Sequence, residues 1–145
     1  VSANGIHVKM DRVLPEVGEE AFLSDLEMLI LAGGMDNTIE LTCSAQAKRV
    51  IAGAVDKGCK VAAICAAPVI LAGMGLLDGR KAVCYPGMEG SMGAADVQVG
   101  SKVVVDGSFI TGQGPGAAFD FALKLVEVLK GRAVMEQVKE EIHYQ

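Results

Sequence analysis

Residues 26–74 alternate two apolar runs with two helical patterns, and this order restricts the possible folds more than any other part of the chain. Residues 26–32 and 61–64 are largely apolar runs of strand length. Residues 44–57 place their apolar side chains at the helical spacing i, i+3, i+4, i+7 and i+8, and residues 66–73 follow as a second helix. A strand–helix–strand–helix order predicts parallel strands that are covered by helices.

Further strands are predicted on both sides of this unit. Ile6, Val8 and Met10 alternate with polar residues, which predicts an edge strand near the start of the chain. In the second half, residues 102–105 and 109–111 predict a β-hairpin around an Asp-Gly turn. The sheet is therefore expected to be mostly parallel with an antiparallel part.

Two helical patterns close the chain. Residues 117–130 predict the strongest helix, on which the polar residues form one narrow stripe and the other side chains are expected to be buried. Residues 133–143 predict a weaker terminal helix. Because we find no internal repeat, low-complexity tract or linker, residues 1–145 predict a single α/β domain.

The composition excludes several classes of function. The net charge is −5 and the basic residues do not cluster, which argues against binding to nucleic acid. No apolar run approaches the about 18 residues of a membrane span, so no membrane partner is expected. The four cysteines form no C-x-x-C pair, which disfavours a zinc knuckle or a thioredoxin motif. Reduced thiols without a secretion signal predict a cytoplasmic location.

Cys65 stands where the second predicted strand ends and the next helix begins. The positive end of a helix dipole favours the thiolate, which is the reactive form of cysteine. The position corresponds to the serine elbow of hydrolases, although Ala63 and Ala67 replace the glycines that flank that serine. A small buried cysteine is equally compatible with the local sequence, so both interpretations remain open.

Two glycine-rich loops are expected to lie beside Cys65. Gly33 and Gly34 follow the first predicted strand, and residues 112–116 follow the last one. Ligands bind at the carboxyl ends of the strands in open parallel sheets, so these loops and Cys65 should share one edge. The backbone N–H groups of Gly34 and Ala66 are then candidate donors to an oxyanion.

The chain offers no convincing acid–base partner for that thiol. His7 lies on the first predicted strand and His143 lies near the end, so both are expected on the surface. Glu89 could approach the site from its loop, although a solvated position is the simpler expectation. The remaining cysteines are interpreted as structural: Cys43, Cys59 and Cys84. This interpretation is least secure for Cys43, because a helix start could activate its thiol.

Taken together, these motifs resemble the DJ-1/ThiJ/PfpI superfamily, and within it the bacterial DJ-1-like proteins. The resemblance covers nearly the whole chain in order and spacing. The matching segments are residues 29–34, 62–68, 75–82, 84–87, 104–107 and 113–119.

The resemblance implies a flavodoxin-like three-layer sandwich, a homodimer, no cofactor and no bound metal. It implies that Cys65 is the reactive residue and that the backbone N–H groups of Gly34 and Ala66 face its sulfur. The residues that it places around the site are Gly33, Tyr85, Pro86, Gly114 and Pro115.

Members of the superfamily have been assigned glyoxalase activity (methylglyoxal to lactate), protein deglycase activity, peroxide sensing and chaperone activity. We therefore expect either chemistry on a reactive dicarbonyl or glycated adduct, or a non-catalytic sensor or chaperone in which Cys65 becomes a sulfinic acid. A relative with an inert, buried Cys65 is the third alternative. Ala66 replaces the histidine of protease-like relatives, which disfavours a protease, and Tyr85 replaces a histidine found in some DJ-1 proteins.

The family pattern begins with a strand, a helix that carries a glutamate bonded to the cysteine, and a second strand, and this chain starts after them. We therefore expect roughly forty residues to precede Val1 in the native protein, in line with a βαβ unit of about 30 residues or more. The acidic partner of Cys65 is expected in that segment.

Overall fold

The central sheet of the computed structural model, which describes residues 5–14 and 18–145, has four strands. These strands are β1 (Met28–Leu31), β2 (Lys60–Ile64), β5 (Val103–Asp106) and β6 (Phe109–Gly112), and neighbouring strands lie in the order β1, β2, β6, β5. The first three strands in that order are parallel, and β5 pairs antiparallel with β6. The expected parallel sheet with a hairpin is thereby confirmed. A separate parallel pair consists of β3 (Lys81–Ala82) and β4 (Asp96–Val97).

The α-helices whose bounds lie within the described residues are α1 (Glu19–Leu23), α2 (Met35–Cys43), α3 (Ala45–Asp56), α4 (Pro68–Gly73), α5 (Ala118–Lys130) and α6 (Arg132–Glu141). Four of them correspond to predicted helices. The side chain of Ser44 caps α3 by accepting a hydrogen bond from the backbone of Ala47 at 3.1 Å. Helix α2 was not among the predicted elements.

The two faces of the sheet carry separate cores. Leu29 and Leu31 point to one face and join a large apolar cluster with α1, α3 and α4. On the other face, Ala62 and Ile110 lie beneath Phe121 of α5. Because successive strand residues point to opposite faces, the alternation of apolar residues fills both layers. The result is the expected three-layer sandwich.

The predicted edge strand and the predicted burial of one helix are wrong. Ile6, Val8 and Met10 are 59–66% exposed and belong to no strand, so the predicted edge strand is absent from these described residues. An alternating apolar pattern does not by itself produce a strand, because strand formation also depends on packing against other segments, and residues 6–10 lie outside the described sheet. On α5, Phe119 and Leu129 are 60% and 37% exposed because the sheet and α6 cover only part of that helix.

Candidate functional site

The backbone of Cys65 adopts a conformation that L-residues rarely take. Its φ is 66°, and His143 is the only other described non-glycine residue with a positive φ. Such a conformation costs on the order of 1–2 kcal/mol. The Cys65 N–H donates to the carbonyl of Gly112 at 2.9 Å, and the Cys65 carbonyl accepts from the N–H of Tyr85 at 2.8 Å. Two separate segments therefore hold the strained residue in place.

The glycine loop after β1 lies directly against the Cys65 side chain. A Cβ atom on Gly33 would lie 2.6 Å from Cys65 Cβ, 2.9 Å from the carbonyl oxygen of Ile64 and 3.4 Å from the Cys65 sulfur. Only glycine fits so close an approach. Asn37 fastens the loop, since its Nδ2 donates to the carbonyl of Ala32 at 2.9 Å. Asn37 was not predicted from the sequence, although its position three residues after the Gly-Gly pair was a usable signal.

The second glycine loop reaches the same place from β6. Gly112 binds the Cys65 amide, and a Cβ atom on Gly112 would meet the Phe121 ring at 2.8 Å. A Cβ atom on Gly114 would lie 3.2 Å from Cδ2 of Tyr85. The structure thus brings Gly33, Cys65, Tyr85 and Gly114 together at the carboxyl ends of β1, β2 and β6.

The two expected oxyanion donors have unused N–H groups. Neither the Gly34 amide nor the Ala66 amide donates a hydrogen bond to another described residue. Gly34 precedes α2 with a φ of 95°, and Ala66 lies in the turn between Cys65 and α4. Gly34 is exposed and Ala66 is buried at 4% exposure, and the role of both amides as oxyanion donors stays a prediction.

The four thiols are free and differ in accessibility. Cys59 is buried and its thiol donates to the carbonyl of Leu26 at 2.9 Å. Burial, followed by the charge of Glu89, raises the pKa of the Cys84 thiol to about 11, so Cys84 stays protonated near neutral pH. Cys43, at the end of α2, is exposed, and Cys65 is half-buried. Cys43 and Cys65 are therefore the thiols that a reagent can reach.

No described carboxylate or imidazole makes a hydrogen bond to Cys65. Glu89 instead binds the backbone N–H of Gly87 at 2.9 and 3.1 Å. Hydrogen bonds from its own backbone and from that of Gly87 lower the pKa of the Glu89 carboxyl, which keeps it ionised. His7 and His143 are exposed, as expected. The proton partner of Cys65 is thus not found among the described residues.

The described residues contain no group of three or more histidine, cysteine, aspartate or glutamate side chains that could hold a metal ion. Their helices all fall short of the length and apolarity needed to cross a bilayer.

Comparison with known proteins assigns the family. The sequence profile of the DJ-1/PfpI family matches residues 1–128. The chain belongs to the DJ-1/PfpI family. Among its relatives, Drosophila melanogaster DJ-1alpha is 34% identical over 95% of this chain and 68% of the relative. A deglycase from Pyrococcus horikoshii is 32% identical over 88% of this chain and 74% of the relative.

Solved structures of the DJ-1/PfpI family have the same fold. The crystal structure of Drosophila melanogaster DJ-1beta superposes with a TM-score of 0.89 at 29% identity, covering 99% of this chain and 75% of that one. A structure of oxidised Toxoplasma gondii DJ-1 gives a TM-score of 0.88 at 31% identity, covering 98% and 75%. The superfamily and its flavodoxin-like sandwich, both expected from the sequence, are confirmed.

Proposed function

We propose that this DJ-1/PfpI protein acts on reactive dicarbonyls or their adducts through Cys65, with glyoxalase or deglycase chemistry. The observation that carries the proposal is the strained Cys65, held by hydrogen bonds to Gly112 and Tyr85 and packed against Gly33. Strain that several segments maintain together is typical of functional residues. The deglycase-named relative from Pyrococcus horikoshii supports this class of chemistry.

The proposed first step is addition of the Cys65 thiolate to an aldehyde carbon. A carbon–sulfur bond forms, the π electrons of the carbonyl move to its oxygen, and a proton then gives the neutral hemithioacetal. The unused N–H groups of Gly34 and Ala66 would stabilise the oxyanion. Lactate is methylglyoxal plus one water, so the conversion needs no external oxidant or reductant. Solvent can supply that proton, since no described carboxylate or imidazole makes a hydrogen bond to Cys65.

A redox sensor or chaperone is the second candidate. Cys65 is half-buried rather than buried. The unused amide of Ala66 follows it directly in the chain, and the unused amide of Gly34 follows Gly33, which packs against its side chain. Those amides would equally stabilise a sulfinate anion, which forms when two equivalents of peroxide each transfer one oxygen to the sulfur. In this alternative Cys65 senses oxidation, and the protein converts no substrate.

One experiment separates these functions. Lactate formation from methylglyoxal is measured for the wild type and for Cys65→Ser, with Cys43→Ser as the matched control because Cys43 is the other accessible thiol. We expect activity that survives Cys43→Ser and is lost with Cys65→Ser. The intact mass is then recorded after mild peroxide treatment. If there is no turnover and Cys65 gains two oxygens, the enzyme proposal is refuted and the sensor is favoured; if neither occurs, Cys65 is inert.

We also propose that the protein works as a cytoplasmic homodimer. Val8, Met10 and Val13 are each at least half exposed, which leaves apolar surface near the start of the chain available to a second copy. Light scattering after size-exclusion chromatography tests this assembly, and a monomer at micromolar concentration would refute it.

A further inference from the structure

Tyr85 combines a fixed backbone with an exposed ring. Its N–H donates to the carbonyl of Cys65, so its main chain is tied to the reactive residue itself. The side chain nevertheless remains 46% exposed. One edge of the ring covers Gly114, where an added Cβ would lie 3.2 Å from Cδ2 and 3.6 Å from Cε2. The main chain of Tyr85 is therefore tied to Cys65, its ring lies against the second glycine loop, and much of the residue is open to solvent.

The segments around this ring are poor in positive charge. Residues 33–37, 65–68, 84–91 and 113–117 contain two carboxylates, Asp36 and Glu89, and no lysine or arginine. Pro86 follows Tyr85 directly, and the half-buried Met88 lies three residues after it. These segments offer no lysine or arginine to an electrophile that approaches Cys65, so a neutral aryl substituent has the Tyr85 ring as a contact and loses no ion pair there.

We propose that the exposed ring of Tyr85 forms a subsite beside Cys65 that accepts a flat aryl substituent of the electrophile. Offset or edge-to-face contact between aromatic rings adds a preference of about 2- to 12-fold to the gain from burying their apolar surface, so we expect a combined preference of about 10-fold. For turnover, the proposal rests on the proposed function and specifies its substrate class as aryl 2-oxoaldehydes such as phenylglyoxal. For simple reaction of the thiol, it stands independently of any catalysis.

The test compares two alkylating reagents that differ by one phenyl group, iodoacetanilide and iodoacetamide. Second-order rate constants at Cys65 are measured by mass spectrometry in a Cys43→Ser background, which removes the other accessible thiol. Each aryl-to-alkyl ratio is divided by the ratio measured for glutathione. We expect a corrected ratio of about 10 for the wild-type ring, because ring contact favours the aryl reagent.

Four variants assign the preference to the ring. Tyr85→Ala and Tyr85→Gln should lower the corrected ratio to about 1, and the second keeps the proposal testable if the first fails to fold. Tyr85→Phe should keep the ratio because it keeps the ring. Tyr144→Ala, at the other tyrosine of the chain, is the matched control and should leave the ratio unchanged. A corrected ratio near 1 for the wild type, or a ratio within twofold of the wild type for Tyr85→Ala, would overturn the subsite.

Turnover is measured separately as kcat/KM for phenylglyoxal and for methylglyoxal. We expect Tyr85→Ala to lower the value for phenylglyoxal about 10-fold more than the value for methylglyoxal. If neither compound is converted in a Cys65-dependent way, the proposed function fails, and the alkylation ratios still decide whether the aryl subsite exists. An equal effect on both compounds would contradict the assigned substrate class.

Discussion

Gly33→Ala is the substitution whose effect can be worked out most directly from the structure. The new Cβ would lie 2.6 Å from Cys65 Cβ and 2.9 Å from the carbonyl oxygen of Ile64, whereas ordinary contacts begin near 3.4 Å. The neighbours must therefore retreat by roughly 0.5–0.8 Å. Neither can do so easily, because the oxygen belongs to the backbone and Cys65 is held at a φ of 66° by hydrogen bonds at both its N–H and its carbonyl.

Overpacking of this kind destabilises a protein by about 1–3 kcal/mol. We expect a loss of about 2 kcal/mol in the free energy of unfolding, or about 6 °C in Tm for a chain of this length. Because Cys65 itself must move, we also expect its reaction with iodoacetamide to slow by about 10-fold, since displacements near 1 Å disturb a reactive geometry strongly. Urea denaturation and intact-mass kinetics measure the two effects.

Gly116→Ala is the matched control. Gly116 lies in the second glycine loop, its added Cβ would meet nothing within 4 Å, and its φ lies outside the positive region. The substitution should be neutral or stabilise by up to about 1 kcal/mol, because alanine restricts the unfolded chain. The free energies of unfolding of Gly33→Ala and Gly116→Ala could differ by less than about 0.5 kcal/mol, with Cys65 equally reactive in both. In that case the close contact at Gly33 does not constrain the cysteine, and the reasoning is wrong.

Three further predictions concern stability. Ser44→Ala removes the side-chain bond to the Ala47 amide and should cost about 1 kcal/mol in urea denaturation, and no loss would show that the cap is dispensable. Ile110 has no exposed surface, so Ile110→Ala should lower the free energy of unfolding by about 2–5 kcal/mol. Ile30 is 53% exposed, so Ile30→Ala should lower it clearly less. Equal losses would contradict the assigned burial. Burial raises the pKa of the Cys84 thiol from 9.0 to about 11. The thiol therefore stays protonated in the folded protein at pH values where it has already ionised in the unfolded chain. The free energy of unfolding should then fall as the pH rises from about 9 to about 11. Cys84→Ala should remove that part of the fall in pH-dependent urea titrations, and an unchanged pH profile would count against the raised pKa.

The parts of the fold that the sequence predicted are those whose signals are local. The apolar run at residues 61–64 and the helical spacing at 44–57 appear in the structure as β2 and α3, with bounds that differ by only a residue at either end. The Asp-Gly turn likewise joins the two strands of the antiparallel hairpin. Such elements depend on periodicity and turn chemistry, which nearby residues determine.

The elements that the sequence did not predict correctly depend on what lies next to them. Helix α2 has a single fully buried side chain, Thr38, so it presents little apolar periodicity to detect. Residues 6–10 have the alternation of a strand but are exposed outside the sheet. On β1, Leu29 and Leu31 are buried while Ile30 is 53% exposed, although all three are strongly apolar. Burial at these positions is decided by neighbours that are distant in sequence.

For the candidate site, the sequence alone placed Cys65 at the end of a strand and beside a helix start, together with two glycine-rich loops at other strand ends. It left open whether that thiol was reactive or merely buried. Only the tertiary structure showed that Cys65 is strained, half-buried and hydrogen-bonded to both Gly112 and Tyr85, with Gly33 in contact with its side chain. The reason is physical: turn position is a local property of the chain, whereas strain and close approach arise only when distant segments meet.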